Sequence, residues 1–582
     1  MKISSLVSLS LLLVLACVEA KAATITPIAS IQGTSTRSPL LGQQVLIKGV
    51  VVAGFGKGLG GVFVEDLVPD KSGLAATGIF VAIAPGAIAP GKGDIVQVAG
   101  TVAELGDGGN SLTALIDTKI QSTASSKSAV SAHVLNAAPA DWERYEGMLV
   151  KIAAPLTISG NEGLAQYGEI SVSFGPRLFT PTEIAAPSAA ARKVAADNQR
   201  RSLLLDDGRS SENPKDLWFL PNGLDDAHPL RAGSVLRGVE GVVDQRRGQY
   251  RLQLTDKLAA ITPAPRPKAP NVAGSLRIAS LNVLNMFNGD GKRGGFPTSR
   301  GAETFEQYQR QVKKQVAVVQ ALAPDVAALM EVENDGYGPE SALAQFVAAL
   351  NAGGAIKDYR FVDAGNGPGT NPIRVALIYR SSRVMPQGKP AVLEGGPFTD
   401  HSRVPLAQAF VPVAGQHKAF VIVANHLKSK GCGKGADAAK GDDADLHDGQ
   451  SCWNATRVDS AQRIDAWLKT DPTQAHTDRQ LLVGDFNAYA LEDPLTRLRA
   501  AGWQDAFVVA KVPQPYSFVY DGLAGRLDHA LLSATMAKQL RGAVEWHNNA
   551  DESDFFDYHQ DQDNDPYRAS DHDPILLGFD LD

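Results

Sequence analysis

The sequence predicts a molecule in two parts, a β-rich first half and an α/β second half. Three observations carry this. Short β-type runs punctuated by Gly and Asp turns fill the chain up to about residue 260. A Pro-rich stretch, Ile261 to Ser275, then reads as an extended linker. Beyond it, apolar strand-like runs alternate with amphipathic helices, the pattern of sheets covered by helices on their outer faces. A chain of 582 residues also exceeds what one hydrophobic core organises.

The first element is "MKISSLVSLSLLLVLACVEAKAA", with a basic residue, an apolar run from Leu6 to Val18 and the small residues Ala20 and Ala22. It reads as a secretory signal over 1–22, too short to span a membrane, and implies a secreted or periplasmic protein. Cleavage near Ala22 removes Cys17; the competing reading of "VLAC" as a lipoprotein acylation site fits poorly at Leu15.

Next come five runs, "QQVLIKGVVVAG", "GGVFVED", "TGIFVAI", "GDIVQVAGTVAEL" and "NSLTALI", which suggest a small closed or partly open barrel over 23–125. "GDIVQVAGTV" followed by a turn and a further strand resembles OB-fold domains. A second β-rich region, 126–260, follows and is interrupted by an Ala/Pro stretch at Ala185 to Ala196. After the linker, 261–275, the region 276–582 carries helices near Glu303 to Leu322 and near Asn454 to Leu468. A third starts at "EDPLTRLRAAG", with Asp493 as its cap, Pro494 in the first turn and Gly502 as its stop.

Without Cys17 two cysteines remain, Cys432 and Cys452, which in an exported chain should form a disulfide. The loop between them is rich in Gly, Ala and Asp and has no apolar periodicity to hold it by packing. A net charge of −7 argues against a bulk polyanion binder, so contact with nucleic acid must be local or metal-assisted. No second apolar run long enough to cross a bilayer is present, and no obligate protein partner is evident.

Polar residues recur where strands begin or end. Asn282 follows "SLRIASL", Glu331 follows "DVAALM", His426 follows "FVIVAN", and Asp485 and Asn487 follow "LLVG". Asp528 opens "DHALLS", and Asp571 and His572 precede "PILLGF". In sheets with antiparallel pairs such positions share one edge, so the set can converge on one rim. "LMEVEN", "GDFNA", "RLDHALLS" and "SDHDPI", in that order, resemble the endonuclease/exonuclease/phosphatase superfamily, to which deoxyribonuclease I belongs. With the signal, the OB-like region, "NHLKSKGC" and "DGQSCWNATRVDSA", the chain looks most like bacterial extracellular nucleases of the ExeM/NucH kind.

The resemblance implies a four-layered α/β sandwich and a role for each residue. Glu331 would be a metal ligand, Asn282 would sit beside metal and phosphate, and Asp571 would complete the metal region. Asp485 would orient or deprotonate the attacking water, Asn487 and His426 would hold phosphate oxygens, and Asp528 would fix the tautomer of His572. Arg374 resembles a position near the phosphate. Lys428, with Lys430, Lys434, Arg457 and Arg463, and Arg310, Lys313 and Lys314 on the first helix, are candidates to grip backbone phosphates.

Phosphodiester hydrolysis needs a Lewis acid, an oriented water and donors for developing charge. Carboxylate and amide oxygens suit Mg²⁺ or Mn²⁺, and the acidic run "DESDFFDYHQDQDNDPYR" is a candidate for additional Ca²⁺. The expected activity is therefore metal-dependent hydrolysis of DNA, with RNA a further candidate. The competing readings are a phosphatase or phosphodiesterase for lipid or nucleotide phosphates and a non-catalytic binding or adhesion protein. Because every candidate catalytic residue lies beyond Ser275, a fragment from Leu276 to Asp582 is expected to retain the chemistry.

Overall fold

The computed structural model describes residues 24–67, 73–106, 111–128, 131–365, 369–415, 417–560 and 565–581. The signal segment and Cys17 lie outside the described residues, as do 561–564 of the acidic run.

All five runs of the first half are strands: Gln44–Phe55, Gly61–Asp66, Gly78–Ala82, Asp94–Leu105 and Leu112–Lys127. They close into a barrel in the order first, second, third, fifth, fourth, with the fourth returning to the first. Alternate residues such as Ile47, Val51, Val64, Ile79, Val96 and Val98 fill its interior, the consequence of a two-residue side-chain period. Gly78 allows the barrel to dock on the next region, since a Cβ there would lie 2.1 Å from the carbonyl oxygen of Gly147.

The second β-rich region is a nine-stranded sheet running from His133–Leu135 at one edge to Ala260–Thr262 at the other. The Ala/Pro stretch within it is more than an interruption: Ala189–Arg201 is a helix, capped by Ser188, whose hydroxyl accepts from the Ala190 amide at 3.2 Å. Its alanines are strong helix formers, and Pro187 lies just before the cap, outside the helix.

The α/β half contains two six-stranded sheets. The first runs Tyr359–Phe361, Ile373–Arg380, Val326–Glu333, Leu276–Met286, Ile575–Phe579, Leu540–Glu545. The second runs Val384–Val392, Leu406–Pro412, Phe420–His426, Gln480–Asp485, Asp528–Leu532, Gln504–Asp505. Their inner faces share one core, in which Ile278, Met330 and Leu377 meet Phe410, Ile422 and Val483. Phe305–Leu322 and Ala342–Gly353 cover the first sheet, and Asn454–Leu468 and Asp493–Ala500 cover the second, giving four layers. The third helix is capped one residue earlier than read: Glu492 holds the cap position and Asp493 is the first helical residue.

Buried polar contacts join the halves. Arg177 pairs with Asp551 at 2.7 Å, Arg526 with Glu183 at 3.0 Å, Arg231 with Glu552, and the Thr182 hydroxyl donates to Glu492 at 2.8 Å. The Pro-rich segment is itself held, with Arg266 paired to Glu552 at 2.9 Å and Pro267 accepting from the Trp546 indole at 2.9 Å.

Candidate active site

The polar strand ends do meet at one rim. In the second sheet, register places His426 beside Asp485 and Asp485 beside Asp528. Gly484 makes the first pairing possible: its φ is +135°, and a Cβ would fall 2.0 Å from the Asn425 carbonyl oxygen. Asn487, also left-handed at φ 48°, donates its backbone N–H to Asp485 Oδ1 at 2.8 Å and its side-chain amide to the Leu427 carbonyl at 3.1 Å. His426 Nε2 is 3.4 Å from Asp485 Oδ2.

From the first sheet come Asn282, Glu331, Asp571 and His572. Glu331 adopts φ 66° where the register of its strand slips between Leu329 and Val332, a costly conformation for a residue with a long side chain. Its carboxylate is fixed at both oxygens, Oε1 accepting from the Asn282 amide at 3.2 Å and Oε2 from the Asn285 backbone at 2.9 Å. His572 Nδ1 is 2.6 Å from Asp528 Oδ2, a contact that bridges the two sheets. Ser517 Oγ holds the same Asp528 oxygen at 2.8 Å. The next aspartate, Asp573, serves structure: it accepts from the Asn549 and Ala550 amides and pairs with His547 at 2.8 Å.

Burial sets the charges against one another. It opposes a charge on His572, but Asp528, Asp571 and Asp485 outweigh it and raise the imidazole well above the usual histidine value. Burial together with the cations Arg403, His572, Arg300 and Lys428 holds His426 well below that value. Adjacent histidines thus take opposite states, His572 charged and His426 neutral. Burial lifts Asp485 to about 7, with His572 opposing and Asp528 reinforcing the rise. Glu331 is likewise raised, by burial and then by Asp571.

A hard divalent cation fits this oxygen-rich corner. Glu331 and Asp571 repel one another, Asn282 adjoins them, and the side-chain oxygen of Asn285, buried next to Glu331, has no hydrogen-bond partner among the described residues. Among the described residues no three His, Cys, Asp or Glu side chains converge on one metal position. Mg²⁺ is compatible with that, because it commonly takes one or two carboxylates and completes its shell with water and phosphate.

Several expected phosphate contacts fall elsewhere. Arg374 donates to the Gly336 carbonyl and lies 4.2 Å over the Tyr337 ring, the acidic groups that act on it are Tyr337, Asp335 and Asp363, none of them in the rim set, and its buried Nε and Nη1 have no partner among the described residues. Lys430 is committed to Glu492, Arg457 to the backbone oxygens of Gln450 and Cys452, and Lys314 to Asp565. Lys314 and Arg457 are buried and Lys430 is half-buried against the buried Glu492, and a cation drawn out of water needs such a partner. Lys428 does stay by the rim, 4.9 Å over the Trp453 ring, and burial, Arg403, Arg457 and Arg300 lower its pKa. In the acidic run, Asp551, Glu552 and Asp565 are paired with arginines or lysine, which leaves them poorly placed to hold Ca²⁺.

Sequence reading missed Arg403. Its backbone N–H donates to the His426 carbonyl at 2.9 Å, its Nη1 to the Leu427 carbonyl at 3.1 Å, and its buried Nε has no partner among the described residues. Burial lowers its pKa, and Glu331 and Asp485 oppose that by stabilising its charge. Only the pairing of Leu406–Pro412 with Phe420–His426 brings it there, and "DHSRVP" carries no motif.

Comparison with known proteins places this arrangement. Residues 279–572, half of the chain, match the endonuclease/exonuclease/phosphatase family, and the chain belongs to that family. Its members are hydrolases of phosphodiester or phosphate bonds. Residues 113–263 match a domain of unknown function, DUF8508. No curated protein matches. Similar solved structures include an endonuclease/exonuclease/phosphatase family protein from Bacteroides thetaiotaomicron, with 16% identity, 52% of this chain and 96% of that one covered, and TM-score 0.34. The human Nocturnin catalytic domain with bound sulfate has 16% identity, covers 52% and 93%, and has TM-score 0.33. D. rerio TDP2 complexed with a single-strand DNA product has 16% identity, covers 52% and 97%, and has TM-score 0.33.

Proposed function

We propose that this protein is a secreted, Mg²⁺- or Mn²⁺-dependent nuclease that hydrolyses phosphodiester bonds in DNA, of the ExeM/NucH kind. The observation that carries the reading is the buried Asp528–His572 pair, 2.6 Å apart, set among Asp485, Glu331 and the cation Arg403. His572, charged and braced at Nδ1, has Nε2 left to donate to a phosphoryl oxygen. Asp485, with its pKa near neutrality, takes the proton of the attacking water. Arg403 and Lys428 offset charge that grows on the phosphate. Asn487 and the neutral His426 flank the two oxygens of the Asp485 carboxylate. Glu331 and Asp571, with Asn282 as orienter, would hold the cation. When bound, that cation supplies Lewis-acid stabilisation of the phosphate.

The five-stranded barrel has the strand number of OB-type modules, which supports a contribution to nucleic-acid binding. Cys432 and Cys452 are bonded, which supports export through the N-terminal signal. The test is supercoiled plasmid with the purified protein in Mg²⁺ and in EDTA. Nicking or degradation that EDTA abolishes is expected. A protein that leaves plasmid and linear DNA intact in both Mg²⁺ and Mn²⁺ overturns the reading.

A further inference from the structure

A cleft of about 1,040 Å³ opens between the DUF8508 region and the hairpin Phe518–Tyr520/Leu523–Gly525, and its lining includes Asp571. The hairpin belongs to the α/β half by sequence but is pinned by the upstream region. Thr180 donates to the Ala524 carbonyl at 2.8 Å, Ala524 donates to the Leu178 carbonyl at 3.0 Å, and Gly522 donates to Glu162 Oε1 at 3.0 Å. The pinned strand presents a row of rings that starts at the catalytic imidazole. Phe518 packs 4.6 Å from His572, and Tyr520 follows at 6.4 Å from Phe518, its ring parallel to within 9°. Tyr520 is 67% exposed, an aromatic plane offered to the cleft by a backbone that cannot easily withdraw it.

The polar lining selects what lies against that plane. Glu162, Glu169 and Asp521 outnumber the one arginine, Arg568, so the cleft disfavours phosphate. The amides of Gln199 and Gln249, with the carboxylates of Glu162 and Asp521, match the mixed donors and acceptors of a nucleobase edge, including exocyclic amines that need an acceptor. Stacking on an aromatic face together with hydrogen bonds to a base edge is how unpaired nucleotides are held. We infer that this cleft binds an unpaired nucleobase next to the scissile phosphate, so that the DUF8508 region forms the substrate wall of the enzyme. The inference rests on the nucleic-acid reading above, and it predicts a preference for single strands or frayed ends.

The experiment compares full-length wild type, Tyr520→Ala, Tyr520→Leu and Tyr520→Phe in Mg²⁺ on a single-stranded DNA oligomer, the matching duplex and the small diester bis(p-nitrophenyl) phosphate, at matched melting temperatures. Loss of one stacked base corresponds to about tenfold. Expected are a KM for the single strand about tenfold higher in Tyr520→Ala and Tyr520→Leu, and near wild-type KM in Tyr520→Phe. The loss on the single strand should exceed that on the small diester by about the same factor. If all four proteins share one KM on the single strand, the base cleft is wrong while the nuclease stands. If wild type cleaves the small diester but no nucleic acid, the proposed substrate fails and the cleft assignment with it.

Discussion

Asp528 and His572 touch at 2.6 Å although Asp528 opens a strand of the second sheet and His572 lies just before a strand of the first, so the pair forms only when the two sheets close on each other. The site is thus a product of the whole sandwich. Asp528→Asn keeps the shape and the acceptor but removes the charge that, with Asp571 and Asp485, keeps His572 protonated. We expect a fall in kcat of roughly 10²-fold or more, with a melting temperature within a few degrees of wild type. Steady-state hydrolysis of DNA beside a thermal melt checks this; a variant with wild-type kcat would take Asp528 out of the mechanism.

Glu65 gives the barrel a pH dependence. Burial raises its carboxyl from 4.5 to about 7, against the pull of the Leu149 backbone N–H that it accepts. The folded state therefore holds this proton where the unfolded chain releases it. Its contribution to stability is fully present below about pH 4.5 and is lost as pH rises towards 7. The loss is on the order of 3 kcal/mol at most. Glu65→Gln keeps an acceptor for Leu149, so it should raise the melting temperature at pH 8 and flatten its fall between pH 5 and 8. An unchanged slope would show that Glu65 is not the group responsible.

The contacts between the halves revise the expectation that Leu276 to Asp582 stands alone. Removing the upstream region takes every paired arginine from the buried Asp551 and Glu552, and one of two partners from Arg526 and Glu492. Breaking a buried pair by deleting one member typically costs about 3–5 kcal/mol. The fragment should express poorly or melt well below the full chain, and Arg177→Met in the full chain should lose about 3 kcal/mol. Denaturant melts of the three proteins decide it; a fragment as stable as the parent would mean these pairs contribute little.

The disulfide Cys432–Cys452 closes a loop whose residues lie 20 apart in sequence. It begins shortly after His426, and Gln450 within it accepts from Lys430, the partner of the buried Glu492. A cross-link of this span contributes about 3 kcal/mol in the chain-entropy model. Cys432→Ser with Cys452→Ser should lose that stability and part of the activity. Full activity with lowered stability would show that the loop does not position the rim.

Much of this was legible from the sequence because the chemistry sits at strand ends. Periodicity located the strands, and "GDFNA", "RLDH" and "SDHD" put Asp485, Asp528 and His572 at their termini. Register then brings His426, Asp485 and Asp528 side by side. Arg403 was not legible, since it reaches the rim only through strand pairing across a loop. Lys314, Lys430 and Arg457 misled for the opposite reason: a cation's sequence neighbours do not show whether it is buried beside a carboxylate or a carbonyl. The helix at Ala189–Arg201 was obscured by the prolines just before it.

The central claim is that the rim around His572 and Asp485 performs phosphodiester hydrolysis, and it is tested most directly by His572→Ala and Asp485→Ala assayed beside wild type on DNA in Mg²⁺. Both side chains are at strand ends rather than in the apolar core, so folding should survive. The account predicts rates lower by about 10²–10⁴-fold at matched melting temperature. Either variant, folded and cutting DNA at the wild-type rate, would contradict it.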